Sequence, residues 1–384
     1  MLENKTRAWI EIDLLRMKHN VEEIRKLIPQ TTKIMAIVKA NAYGHGDLVS
    51  ATLLEQCGVD FFGVSSVDEA LNLRDVGVRS KILILGYTNV ENFKYLKRHN
   101  LIQAIFSLDY AKEMQEYAKA NNVTLKGHIK IDTGMSRIGI VCQKQDYRID
   151  EVLQIYDMDH LSIEGVFSHF SVSDNLDEES VNYTLEQVQA YDRVIDDIKK
   201  HGYKVGTTHI QNSYGILNYG YLKYDYVRPG LLYMGVTSDD SIEIKSNPNF
   251  LPVLSLKARV SLVKTIQKDV TISYGRNYTS KDVSKIATVS IGYADGYPRT
   301  LSNKNARVLI HGEYANIVGN ICMDQLMIDV SHIDNVQEGD IVTFIGEDQG
   351  KKITVDEISR LANTINNETF TRFTYRLPRI FNSQ

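Results

Sequence analysis

Long apolar runs are missing from this chain. No stretch of its 384 residues approaches the roughly 20 needed to cross a bilayer as a helix, and the opening MLENKTRAWIEID has no apolar signal-peptide core. Cysteine is scarce: Cys57, Cys142 and Cys322 are widely spaced and odd in number. They form neither a disulfide framework nor a zinc motif, so no metal is expected and a reducing, cytoplasmic setting is. Excess charge is missing too. Lys+Arg 44 against Asp+Glu 48 leaves −4, which speaks against a basic nucleic-acid-binding face. Tandem repeats and low-complexity tracts are absent. Phe (11) and Trp (1) are few, whereas Tyr reaches 22. A core wanting only apolar bulk would use Phe, so some phenol hydroxyls are expected to be in use.

The length allows two domains, or one barrel with an addition. Eight β-type runs alternate with helical patterns: 33–40, 61–66, 81–87, 103–107, 126–132, 163–170, 204–210 and 225–231. Between the sixth and seventh, Val181, Leu185, Val188, Ile195 and Ile198 share one helical face, and Gly202 follows as a C-cap. This reads as an α/β fold with an N-terminal (β/α)8 TIM-type barrel. The turn-rich SNPNFLP marks a boundary. Beyond it, short β runs separated by Gly, Asn and Asp predict a mostly-β C-terminal domain with a single late helix, Val355–Asn363. The expected division is 1–12 as a strand joining the β domain, 13–245 as the barrel and 246–384 as the β domain.

Barrels of this type carry reactive groups at the C-terminal ends of their strands. Those ends hold Lys39, Lys130 with Asp132, His169, His209 with Asn212 and Ser213, and Arg228 with Gly230. The loops after strands seven and eight often bind phosphate, and Ser213, Gly230 and the amide of Leu231 fall there. Lys39 ends an apolar strand. Burial there would depress its pKa and free an amine nucleophile, whereas a lysine snorkelling at the rim would have the same spacing.

The segment AIVKANAYGHG (36–46) resembles the cofactor-lysine motif of the alanine racemases. Further matches follow in order: KIDTGMSRIGI, FSHF, HIQNS, VRPGLLYMG, SYGRNY, SIGYADGYPR, GNICMDQLMIDV and YRLPRIF. The resemblance covers nearly the whole chain and implies pyridoxal 5′-phosphate as cofactor and α-proton exchange on an amino acid. It implies that Lys39 holds the cofactor and is one base, and that Tyr274, contributed by the other subunit of a homodimer, is the base on the opposite face. It implies a cofactor site of Lys39, Tyr43, Arg137, His169, Asn212, Ser213, Arg228, Gly230 and Leu231. Arg228 would face the pyridine nitrogen. An arginine there does not give up its proton, which points away from the related barrel decarboxylases. Arg137, Met323, Asp324 and Asn367 would contact substrate. Lys130, matching a lysine often carbamylated in that family, and His209 would support them. Asp174, Tyr293 and Arg299 would line the access corridor.

Two positions depart from that family. Asn367, in TINNE, stands where it has a tyrosine that narrows the pocket; a smaller side chain with both donor and acceptor predicts room for a hydroxymethyl group. That resembles the serine racemases of vancomycin-resistant bacteria, whose racemase domains are attached to a membrane part and supply D-serine for cell-wall precursors. L-Serine therefore joins L-alanine as an expected substrate, against alanine alone. The second departure, Asn320, replaces a corridor arginine. A non-catalytic pyridoxal-phosphate carrier is the rival of another class, and the Tyr274 segment and the β domain speak against it.

Overall fold

The computed structural model describes residues 6–383. Lys33–Ile37 is buried at every position but its first, and Phe61–Val64 and Ile102–Ile105 are buried throughout. Strands apolar on both faces suit a parallel sheet covered by helices. With Lys81–Ile84, Leu125–Asp132, Leu161–Phe167, Thr207–His209 and Tyr226–Val227 they are the eight strands of a barrel, neighbours in chain order, with the eighth paired to the first. The seventh and eighth share no ladder. Arg228 N–H donates to Gln211 O at 2.9 Å and closes that seam.

Seven of the eight barrel strands stop one to four residues earlier than the sequence runs suggest, the first and the eighth for visible local reasons. The first ends at Ile37 because a left-handed turn begins after Lys39. The eighth is cut to two residues because Pro229 has no N–H to offer a ladder. The longest helix, Glu178–Lys200, is capped by Asp177, whose carboxylate accepts from Ser180 N–H. Glu178 and Glu179 sit in its first turn and Lys199 and Lys200 in its last, matching the helix dipole. It buries Val188, Tyr191, Val194, Ile195 and Ile198 against the barrel.

The second sheet runs Lys351–Ile353, Ile341–Asp348, Arg307–Ile310, Glu313–Val318, Leu326–Asp329, Ser284–Val289, Leu254–Ile266, Ala8–Asp13, Arg379–Asn382. Ile341–Asp348 also pairs with Leu254–Ile266, which curls the sheet onto itself. Ala8–Asp13 pairs antiparallel with Leu254–Ile266 and parallel with Arg379–Asn382. Of the N-terminal strand expected over 1–12, residues 1–5 lie outside the described residues. The single late helix is corrected to two, Val355–Ala362 and Asn366–Thr371. Asn363, at φ 60°, adopts the left-handed C-cap that separates them. Among the described residues no helix is long and apolar enough to cross a membrane, and all three cysteines are free.

Candidate active site

A cavity of about 730 Å³ opens at the C-terminal ends of the barrel strands. Lys39, Tyr43, Lys130, Arg137, His169, Asn212, Ser213, Arg228, Gly230, Leu231 and Asn367 all line it. Its lining holds four basic side chains, Lys39, Lys130, Arg137 and Arg228, against one carboxylate, Glu368. Such a cavity suits an anionic ligand.

Arg228 is buried and donates to four acceptors. Nη1 meets His209 Nδ1 at 2.7 Å; Nη2 meets Ser168 O at 2.7 Å, Ile210 O at 2.9 Å and His169 Nδ1 at 3.0 Å. Burial brings its pKa down to about 10, so it stays a cation at neutral pH. Because arginine only donates, both histidines must accept at Nδ1 and carry their proton on Nε2. His209 then donates from Nε2 to His128 Nδ1 at 3.0 Å. Burial, and then Arg228, holds His169 and His209 neutral, well below the usual histidine range. Phe167 stacks on His209 with centroids 4.9 Å apart.

Lys130 is buried with its amine 4.9 Å above the Phe167 ring. Burial, Arg228 and Arg137 lower its pKa, against Asp132. Lys39 is lowered by burial and then by Arg137, and raised by Glu69. Tyr43 is pushed up to about 12 by burial. Gly230 N–H donates to Ser213 Oγ at 3.1 Å, and a Cβ on Gly230 would come within 2.6 Å of the Tyr43 hydroxyl. Only glycine leaves that part of the cavity open. Asn212 caps the helix Ser213–Tyr219 by accepting from Gly215 N–H at 2.8 Å.

Lys39 opens an unusual turn. Ala40, Asn41, Ala42 and Tyr43 all have positive φ, 48–55°. Each such non-glycine residue costs about 1–2 kcal/mol, so the surroundings must impose it. His45 behind it is wholly buried, packs edge-on against Phe370 with centroids 4.7 Å apart, and is held down to about 4 by burial. Phe370 belongs to the short helix that carries Asn367. The Asn367 amide oxygen is buried and has no partner within the chain.

The remaining sequence-selected residues are not brought to this cavity. Tyr274, 73% exposed, and Met323, 53% exposed, lie on the β domain. The Tyr274 segment is tied to Asn320, three positions before Met323: Ser273 Oγ donates to Asn320 O at 2.6 Å and Asn320 Nδ2 to Tyr274 O at 2.7 Å. Asp324 accepts from Arg376 Nη2 at 2.6 Å. Tyr293 and Arg299 are exposed nearby in sequence, and Asp174 is half-buried in the loop after the sixth barrel strand. Sequence reading missed His128 and Glu69. His128 lies two positions before Lys130, on the same strand face, and that spacing could have revealed it. Glu69 offered no such signal.

Family models described as "Alanine racemase, N-terminal domain" and "Alanine racemase, C-terminal domain" match residues 12–238 and 253–381. "Alanine racemase 2" of Caldanaerobacter subterraneus subsp. tengcongensis is 39% identical over 374 residues, covering 97% of this chain and 94% of that protein. The "Serine/alanine racemase" of Enterococcus gallinarum is 39% identical over 330 residues, 86% of this chain and 46% of that protein. Among solved structures, an alanine racemase of Clostridium difficile 630 superimposes with TM-score 0.91 at 33% identity, covering 99% of this chain and 96% of that one. An alanine racemase from Bartonella henselae with covalently bound pyridoxal phosphate gives 0.84 at 28% identity, covering 98% and 100%.

Proposed function

The chain belongs to the alanine racemase family, and from that premise we propose that it interconverts the L and D forms of serine as well as of alanine. Members of the family are isomerases that depend on pyridoxal phosphate. The cavity fits that group: four basic lining side chains, Arg228 among them as a cation, suit a ligand with a phosphate, and Gly230 keeps the space beside Tyr43 and Ser213 clear. Tyr43, Ser213, Asn212 and the amides of Gly230 and Leu231 would hold the phosphate, and Lys39 would bind the ring covalently. When bound, the cofactor supplies the electron sink that loosens the substrate's α-hydrogen.

The residues of this chain divide the rest. Lys39, its basicity lowered by burial, takes and returns the α-proton on one face. Arg137 receives the substrate carboxylate. Arg228, charged and fixed by four acceptors, faces the ring nitrogen without handing it a proton, which disfavours side reactions such as transamination. His169 and His209 hold Arg228 in place. The opposite face needs a second base, and Tyr274 sits exposed, away from its own chain's cavity. Tyr274 of a second copy, with Met323 and Asp324 beside it, would complete the site in a homodimer.

Asn367 carries the extension to serine: it lines the cavity with a small side chain that has both a donor and an acceptor, and its amide oxygen has no partner within the chain. The likeness to the Enterococcus gallinarum protein supports it. Supply of D-amino acids to cell-wall precursors is the destination that the sequence resemblance implies for the product. Chiral chromatography of purified enzyme with each L-amino acid tests the reading. Serine and alanine are expected to have kcat/KM within about tenfold of each other. Turnover of alanine alone leaves a single-substrate racemase. Turnover of neither by cofactor-loaded protein leaves a carrier.

A further inference from the structure

The left-handed run after Lys39 is pinned from several sides. Ala42 N–H donates to Val38 O at 2.9 Å and Gly44 N–H to Ala40 O at 3.0 Å. Arg379 Nε holds Gly44 O at 3.0 Å. The first left-handed residue is held differently. Ala40 N–H donates out of the turn, to Glu69 Oε1 at 2.8 Å. The other oxygen, Glu69 Oε2, accepts from the N–H and hydroxyl of Ser65 at 2.7 and 2.8 Å. Glu69 is itself fixed, since its N–H donates to the N-cap Ser66 at 3.3 Å. One carboxylate therefore joins the turn after the first barrel strand to the loop after the second, and Ser65 and Ala40 both line the cavity with Lys39.

We propose that Glu69 is a positioning residue for Lys39: its carboxylate staples the strained turn to the neighbouring loop and places an anion beside a lysine otherwise faced by Arg137. This rests on the reading of Lys39 as the cofactor lysine. The groups acting on Lys39 are Arg137, from the loop after the fifth strand, and Glu69, from the helix after the second. His169, after the sixth, also faces it and is held neutral. On the turn side, Tyr43 and Asp47 feel the same carboxylate. Burial and Arg137 disfavour the charged amine and Glu69 favours it. Removing the Glu69 charge alone must lower the lysine further.

Two variants of the holoenzyme separate staple from charge. Glu69→Gln keeps an acceptor for Ala40 N–H and loses the anion together with the acceptor for Ser65 N–H; Glu69→Ala loses all three. In hydrogen-exchange mass spectrometry, Glu69→Ala should speed exchange of the peptide over 39–46 at least about tenfold, with Glu69→Gln near wild type. In the kcat pH profile, Glu69→Gln should move the limb belonging to Lys39 down by about half a pH unit or more. Wild-type exchange in Glu69→Ala overturns the staple. An unmoved limb in Glu69→Gln overturns the charge role, and that variant keeps the test open should Glu69→Ala fail to fold. The exchange result does not depend on activity, so it stands apart from the assignment of Lys39. That assignment fails separately, if Lys39→Ala keeps the visible absorbance of lysine-bound cofactor.

Discussion

The barrel mouth and the exposed patch of the β domain solve opposite problems. At the mouth, Lys130, His128, His209 and Arg228 are buried, and the orientations of Arg228 and His209 are dictated by hydrogen bonds. Arg228 has four acceptors, His209 sits between it and His128, and Lys39 sits on a turn that the surrounding chain imposes. On the β domain the backbone around Tyr274 and Asp324 is tied by Asn320 and Arg376, while the Tyr274 and Met323 side chains face solvent. On the proposed reading, the first is a site that needs an opposing wall, and the second is the surface that would supply it. Burial makes the first costly to alter, whereas exposure makes the second cheap to alter for stability and expensive for function.

The largest effect should follow Lys39→Ala. Racemisation should fall ~10⁴-fold or more, and the visible absorbance of lysine-bound cofactor should vanish. Tyr274→Phe breaks the comparison from the other side. It should cost ~10²–10⁴ in kcat while unfolding stability stays within about 0.5 kcal/mol. Mixing Lys39→Ala and Tyr274→Phe subunits should restore about a quarter of wild-type activity, because half of the dimers regain one intact site. No recovery would mean that the two halves do not meet across copies. Next, Arg228→Ala strands the acceptors of His209, His169, Ser168 and Ile210. Denaturant unfolding should register a loss of about 4 kcal/mol.

His45 probes the same burial by pH. Its folded pKa lies near 4, below an unfolded value of 6.5, so the unfolded chain binds more protons between the two. Its contribution is therefore fully present above pH 6.5 and is lost as pH falls through that window, by about 3 kcal/mol in all. His45→Phe should flatten that part of the stability curve, and an unchanged slope would remove His45 as its source. The smallest effect belongs to the pocket. Asn367→Tyr should lower the serine-to-alanine ratio of kcat/KM by about tenfold, and equal losses on both substrates would refute the hydrogen-bonding argument.

The sequence announced the eight barrel strands because each lies in a short β-type run between turns or helical patterns. It announced the cavity residues because they sit at strand ends in a recognisable order. What it hid is long-range. Arg379–Asn382 is a strand only because Ala8–Asp13 lies beside it. The split of the late helix at Asn363 is a backbone decision with no periodicity signal, and it places Asn367 on its own short helix. Ala40, Asn41 and Ala42 have no glycine among them, so nothing local forecasts a left-handed turn. Glu69 reads as an ordinary helix-surface acid until that turn comes to meet it. Half of the tyrosine surplus question is answered inside: Tyr191 donates to Val166 O at 2.6 Å and Tyr110 to Thr88 O at 2.8 Å, so phenols satisfy barrel carbonyls that Phe could not.

The left-handed turn also has a history during synthesis. Gly44 is held by Arg379, 335 positions downstream, and a Cβ at Gly44 would strike the carbonyl of Phe370. At roughly 5–20 residues per second, about 15–70 s separate the translation of the two partners. The barrel strands can assemble in that interval, but the lysine they carry waits for the far end of the chain before its turn can close.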